Sequence, residues 1–335
     1  MTMTVDHWKG FVDFARLDKA AGGPDSHMKT VVHLSHDVSV EEKVWRAGLY
    51  AGTVYNVPTA EVLWQHWPWH RVRHIDGLAG LEAWIKTNWD GFGFRRERRA
   101  VRSPAKMAEN IRSLRDAVTD IVRALERGAD YGGVWDACSR VKYVGRYALL
   151  KMTETLRQMR LTDAIIPDLR PEGGWSPREG LSLLWTDSAS VALLTADGPD
   201  TAERLHRINH LAASTQHRIA AEYGVELDNY EFQVFCCDYK QAWAGRQYPG
   251  RSLDSELEYA AKVCSHPWAG DFALGMWEAR AALFPAWSLG ERQGWSGVRP
   301  ELGECWRRHG YLWDGSSYDY VTTRSLAEPE RYAAV

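Results

Sequence analysis

The sequence predicts an all-α protein, and three observations carry that reading. Helix-start devices recur along the chain, the apolar residues behind them advance in steps of three and four, and hardly any segment alternates with period two. The first start is Ser39-Val40-Glu41-Glu42, where a hydroxyl and a carboxylate three apart can each satisfy a free N–H of the first turn. Ser103 followed by Pro104 pairs an N-cap with proline at the first helical position, and Met107, Ile111, Leu114, Val118, Ile121, Val122 and Leu125 line one face behind it. Ser176-Pro177-Arg178-Glu179 combines both devices. Asp200 with Glu203 is expected to open a helix carrying Leu205, Ile208, Leu211, Ile219 and Tyr223, with Gly224 closing it. The best period-two stretch, EFQVF at 231–235, is too short to outweigh these signals. Ordinary helix lengths then give about 10–14 helices. Three prolines and two glycines between 167 and 177 mark a loop or a boundary between two helical lobes, and the last twenty residues read as a wrapping tail.

Composition narrows the function classes. The chain has 335 residues, 45% of them hydrophobic and 25% charged, which excludes wholesale disorder. No run approaches the roughly 18 apolar residues of a membrane helix, and the start, MTMTVDHWKGF, lacks the pattern of a signal peptide. Five cysteines without a C-x-x-C pair argue against a disulfide scaffold or zinc ribbon, and fit a reducing cytoplasm. Net charge is -3, so any site for an anion must be local. Tryptophan is over-represented at 17 residues, which means either a Trp-rich core or stacking surfaces for flat ligands.

Three constellations could carry chemistry. Between Phe92 and Arg115 eight cations face two carboxylates, and the cluster runs into the helix start at Ser103. Arginine forks and helix N-termini both favour phosphate oxygens, so Arg95, Arg96, Arg99 and Lys106 are candidates for a phosphate or pyrophosphate site; the alternative is a solvated basic face. Lys142-Tyr143-Val144-Gly145-Arg146-Tyr147 falls where a tight turn would join two helices, and Gly145 there would let backbone N–H groups approach a phosphate. The block from Cys236 to Asp254 gathers Asp238, Lys240, Arg251 and Asp254, which could hold an amino acid by its two charges or form a structural ion-pair network. His206, His210 and His217 share one helical face, and His66, His70 and His74 are also four apart. Neither set carries an H-E-x-x-H pattern, so no metal is assigned.

The stretch VKYVGRYALLKMTETL resembles the hairpin of helix-hairpin-helix DNA glycosylases, whose pattern is L-P-G-V-G-x-x-T-A. EEKVWRAGLYAGTVYN is similar to the helix and loop that carry the base-wedging residue in that fold, and LEAWIKTNWDGFGFRRERR to the segment before the next core helix. Asp163 and Asp168 straddle the place of the glycosylases' catalytic aspartate. Lys142-Tyr143 stand where that pattern has Pro-Gly, and Tyr147 stands where lyase-type members keep a lysine. The blocks W-R-A-G-L-Y…Y-N-V-P-T, N-W-D-G-F-G-F-R-R, G-G-W-S-P-R-E-G-L and F-C-C-D-Y-K…Y-P-G-R-S-L-D resemble a phage family built on that core, the α-glutamyl/putrescinyl-thymine pyrophosphorylases or amino acid:DNA transferases.

That resemblance implies a glycosylase-like core over residues 1–170 and a helical lobe over 171–335 that completes the active site. It implies an amine displacing pyrophosphate from 5-(pyrophosphoryloxymethyl)uracil in DNA, with the base everted from the duplex. Arg95, Arg96, Arg99 and Lys106 would hold the pyrophosphate, and Asp163 or Asp168 would take the amine's proton. Tyr55, Asn56, Lys142, Gly145 and Arg146 would contact DNA, and Asp238, Lys240, Arg251 and Asp254 the amino acid. No cofactor is required, and a divalent metal such as magnesium on the pyrophosphate is compatible with the scheme. The partners are then DNA and a small amine, without a membrane. A base-excision glycosylase and a non-catalytic DNA-binding protein are the rival readings.

Overall fold

The computed structural model describes residues 7–20, 22–171, 174–243 and 275–284, with isolated positions between 252 and 268. Among the described residues every regular element is helical, as the sequence predicts. In chain order these are α1 (His7–Ala20), α2 (Ser26–Leu34), α3 (Val40–Ala47), a π-helix (Gly48–Val54), α4 (Val57–His66), α5 (Trp69–Val72), α6 (Ile75–Thr87), 3₁₀ turns at Trp89–Gly91 and Arg96–Val101, α7 (Pro104–Glu126), α8 (Tyr131–Ser139), α9 (Arg146–Gln158), α10 (Trp175–Ser182), α11 (Ser188–Thr195), α12 (Ala202–Tyr223), α13 (Asn229–Trp243) and α14 (Gly275–Leu283).

The helix starts follow local chemistry closely, with instructive departures. Ser39 accepts a hydrogen bond from Glu42 N at 3.2 Å, but the buried Glu42 carboxylate accepts from Arg46 Nε at 2.7 Å and Trp69 N at 2.6 Å. Ser103 caps α7 through Lys106 N, and Gly224 closes α12 with φ 64°, as expected. Two expected caps are corrected. Helix α10 already begins at Trp175, so Ser176 lies inside it and meets Cys237 Sγ at 3.0 Å. Thr201, not Asp200, caps α12, because the Asp200 carboxylate is taken by Arg178 at 2.6 Å. The EFQVF stretch lies inside α13.

The chain forms two compact units. One comprises residues 25–165 with the described positions from 256 to 283; the other contains α1 and α10–α13. The sequence reading divides the chain at residue 170. Here the change falls between 165 and 166, and α1 and the 256–283 segment each belong to the unit on the other side of it. In the second unit α1 packs Phe11 and Phe14 edge-on to Tyr239 and Phe235 of α13. Gly180 is required there, since a Cβ would lie 1.7 Å from the Cys236 carbonyl.

The first unit is organised around α7, which packs on α3, α6, α8 and the π-helix. Gly48 opens the π-helix against it, and a Cβ there would meet Leu114 at 2.2 Å. The wide turn frees carbonyls that buried side chains satisfy. Arg98 Nε donates to Thr53 O at 3.2 Å and a second guanidinium nitrogen to Gly52 O; burial lowers its pKa to about 10. Asn110 donates to Gly52 O and to Lys142 O, and accepts from Thr53 Oγ1 at 2.7 Å. It therefore ties the π-helix to the α8–α9 turn. Asn110→Ala leaves these buried groups unsatisfied, and urea unfolding is expected to show a loss of about 3 kcal/mol.

Glu61 of α4 caps α14, accepting from Gly275 N at 2.6 Å and Met276 N at 3.2 Å. Burial pushes its carboxyl from the ordinary carboxylate range up to about 7, against the pull of those two N–H groups. The folded protein therefore binds the proton more tightly than the unfolded chain, and this site's contribution to stability declines as pH rises from about 4.5 through about 7. Glu61→Gln removes that slope. Its stability relative to the parent is expected to improve between pH 5 and pH 8 by on the order of 2 kcal/mol, read from urea midpoints at the two pH values.

Candidate active site

Within the first unit, polar side chains from distant parts of the sequence meet behind the π-helix. Asp25 precedes α2 with φ 51°, and Tyr55 follows the π-helix with φ 57°, so two non-glycine residues hold the left-handed conformation. The Tyr55 hydroxyl donates to Asp25 Oδ1 at 3.1 Å, so the two strained positions are bonded to each other. The other Asp25 oxygen accepts from Lys151 of α9, a lysine only 2% exposed. Tyr55 Oη also lies 2.9 Å from Tyr147 Oη, and Tyr147 is 40% exposed. A hydrogen-bonded line thus runs from a buried Lys–Asp pair through two phenols to the surface.

Arg95 forms the other wall. Its guanidinium lies over the Tyr55 ring and pairs with Glu256, whose other oxygen accepts from Val57 N at 2.7 Å. Burial works against the Arg95 charge, but Glu256 and then Tyr55 outweigh it and hold the group above the ordinary arginine range. His27 sits edge-on to both Tyr50 and Tyr55 with ring centroids 5.7 and 5.4 Å away. Burial, reinforced by Arg95 and Lys151, lowers its pKa well below the usual histidine value despite nearby Asp25, so it is neutral. Burial likewise raises the Tyr50 phenol well above its ordinary range. Neither ring nitrogen of His27 nor the Tyr50 hydroxyl has a hydrogen-bond partner among the described residues. Two acids, two cations, a neutral imidazole and two phenols are largely buried together, with the third phenol, Tyr147, at the surface; so many polar groups in one place are unusual for a core and mark a candidate site.

The α8–α9 turn lies beside this cluster along α9. Residues 140–145 connect the helices, with Tyr143 at φ 62°. Three side chains of α7 hold the turn. Ser113 accepts from Lys142 N at 2.8 Å, Asn110 donates to Lys142 O at 2.7 Å, and Glu109 accepts from the Tyr143 hydroxyl at 2.7 Å. Gly145 is exposed, with open space where a Cβ would stand.

A family model described as amino acid:DNA transferase matches residues 25–248, more than half of the chain. The chain belongs to the amino acid:DNA transferase family. It is a transferase that carries an amino acid onto DNA, and DNA and an amino acid are its partners. No curated protein and no solved structure matches the chain. The transferase match begins at Asp25, the acid at the centre of the buried cluster. No helix among the described residues is long and apolar enough to cross a membrane.

The residues nominated from the transferase sequence are distributed unevenly. Tyr55 and Arg95 belong to the cluster. Tyr55 and Asn56, expected to contact DNA, are both buried. Tyr55 is 2% exposed, and Asn56 is fully buried, capping α4 through Thr59 N and donating to Gly93 O. Arg99 and Lys106 are exposed, and the side chain of Arg96 lies outside the described residues. Lys142 is exposed and 3.7 Å from Glu109, and Arg146 is half-buried. Asp163 is exposed in the first unit. Asp168, in the second, accepts from Arg170 N at 2.7 Å and Asn209 Nδ2 at 3.1 Å, so both its oxygens brace a loop. Asp238 and Lys240 lie on α13, where Lys240 pairs with Glu179 at 2.5 Å; Arg251 and Asp254 fall outside the described residues. Sequence reasoning missed Asp25, His27, Lys151 and Glu256. The signal for Lys151 was a lone cation in the apolar run ALLKM.

Proposed function

We propose that this transferase joins the amine of an amino acid or polyamine to the exocyclic methylene of 5-(pyrophosphoryloxymethyl)uracil in DNA and releases pyrophosphate. The observation that carries the site assignment is the line Asp25–Tyr55–Tyr147, which links a buried carboxylate to an exposed hydroxyl. An ammonium at Tyr147 passes a proton to its oxygen as Tyr147 hands its own to Tyr55 and Tyr55 its own to Asp25. The neutral amine then attacks the methylene carbon. A C–N bond forms, the C–O bond breaks, and the electron pair leaves on pyrophosphate, while the pyrimidine ring donates density to the loosening carbon.

Asp25 takes the role that sequence position suggests for Asp163 or Asp168, because Asp168 is occupied in its loop and Asp163 has no comparable buried setting. The exposed cations Arg99 and Lys106, with Arg96 on the same segment, neutralise the leaving group. The Lys142–Arg146 turn, with its open Gly145, suits backbone phosphates in the manner of a helix-hairpin-helix, and an everted base presents the methylene. As written, the reaction needs no cofactor. Pyrophosphate release tests it. Release is expected only when pyrophosphorylated DNA and an amine are both present, whereas a glycosylase would generate abasic sites with no amine at all.

A further inference from the structure

A second feature of the first unit is not used by that chemistry. Trp89, Asp90, Phe92, Phe94, Arg102 and Lys262 line a groove of about 340 Å³. Its wall is aromatic, with the Trp89 ring 5.3 Å from Phe94 and 5.9 Å from Phe92 between centroids. Trp89 and Phe94 line the groove and are each only partly buried. Its rim is cationic. Arg102 donates to the carbonyls of Phe94 and Arg95, and Lys262 to that of Phe92 at 2.7 Å. Those bonds fix both heads at the groove, and exposed Arg102 keeps further N–H donors, since a guanidinium has five.

We propose that this groove is a nucleotide subsite that stacks one unpaired base of the DNA strand on Trp89 and Phe94 and holds its phosphate with Arg102 and Lys262. Aromatic rings beside anchored cations are the pairing that binds single-stranded nucleic acid, because every base offers a π-face and every linkage an anion. Asp90 adds an acceptor for a base amino group. Position supports the assignment. Phe92 and Phe94 alternate along one segment with Gly93 and Arg95, so the chain that presents the groove's rings also delivers Arg95 to the Asp25 cluster. A nucleotide held in the groove is therefore a neighbour of the one that reacts, and strand next to an everted base is the strand most readily unstacked. The subsite deepens the proposed transfer reaction and rests on it for its purpose, but not for its detection.

The test uses the full chain and an unmodified single-stranded oligonucleotide containing 2-aminopurine, so it needs neither pyrophosphorylated DNA nor turnover. Binding is expected to quench the aminopurine fluorescence by stacking. Trp89→Leu is expected to abolish the quench and weaken anisotropy-measured binding by about tenfold. Arg102→Gln is expected to keep the quench and to lower the slope of log affinity against log salt by about one. Phe94→Leu serves as a second stacking variant should Trp89→Leu fail to fold. Quenching and affinity unchanged in both stacking variants would overturn the subsite. Quenching that depends on Trp89 in a protein that releases no pyrophosphate would uphold the subsite and sink the transfer reaction instead.

Discussion

Asp25→Asn is expected to slow amine transfer by about a hundredfold or more while leaving DNA affinity within about twofold. The substitution keeps one oxygen, enough for Tyr55, but loses the acceptor and counter-charge of Lys151, and an amide cannot accept the proton carried along the phenols, so rates are compared under conditions where denaturant unfolding shows the variant folded. Single-turnover rates on pyrophosphorylated DNA measure the effect. Tyr147→Phe cuts the same line at its exposed end, where a lost hydroxyl costs the fold little, and is expected to reproduce most of the loss. The limb of the pH–rate profile set by amine deprotonation discriminates a relay from a merely structural cluster. Raising pH supplies neutral amine directly, so both variants should approach the parent rate at high pH. A deficit that stayed constant with pH would mean that Asp25 only shapes the pocket.

Lys151→Met is expected to cost about 3–5 kcal/mol of stability, the largest effect of any single substitution considered. Asp25 would be left buried with its counter-charge gone, and burying an unpaired carboxylate is far more costly than burying the pair. Denaturant unfolding measures the loss. The double variant Asp25→Asn with Lys151→Met restores neutrality and is expected to be more stable than Lys151→Met alone. Additive losses would show that the two groups do not depend on each other.

How far the sequence shows these features depends on how local their causes are. Ser103, Gly224 and the apolar steps of α7 were legible because a cap or a helical face is decided within a turn or two. Asp200 was misread by one residue because Thr201 is an equally good cap and Arg178, twenty-two residues away, captures the aspartate. In the Tyr55-Asn56 segment nothing local reveals that the π-turn before it leaves both side chains buried. Asp25 and Lys151 are 126 residues apart, and Arg95 and Glu256 are 161 apart. Each looks ordinary in its own neighbourhood, and only the packing of α2, the π-helix and α9 around one another makes them a site. The basic cluster shows the converse. As a run of charge it reads as one anion site, yet Arg98 serves the π-helix carbonyls, Arg95 serves Glu256, and only its exposed members remain for an outside anion.

Nucleoside mass spectrometry tests the central claim most directly. DNA carrying 5-(pyrophosphoryloxymethyl)uracil is incubated with a panel of ¹⁵N-labelled amino acids and polyamines, digested, and analysed beside the Asp25→Asn protein. The account predicts a thymidine derivative bearing the labelled amine, formed in step with released pyrophosphate by the parent and barely detectable with the variant. Free bases with abasic DNA, or equal labelling by both proteins, would contradict it.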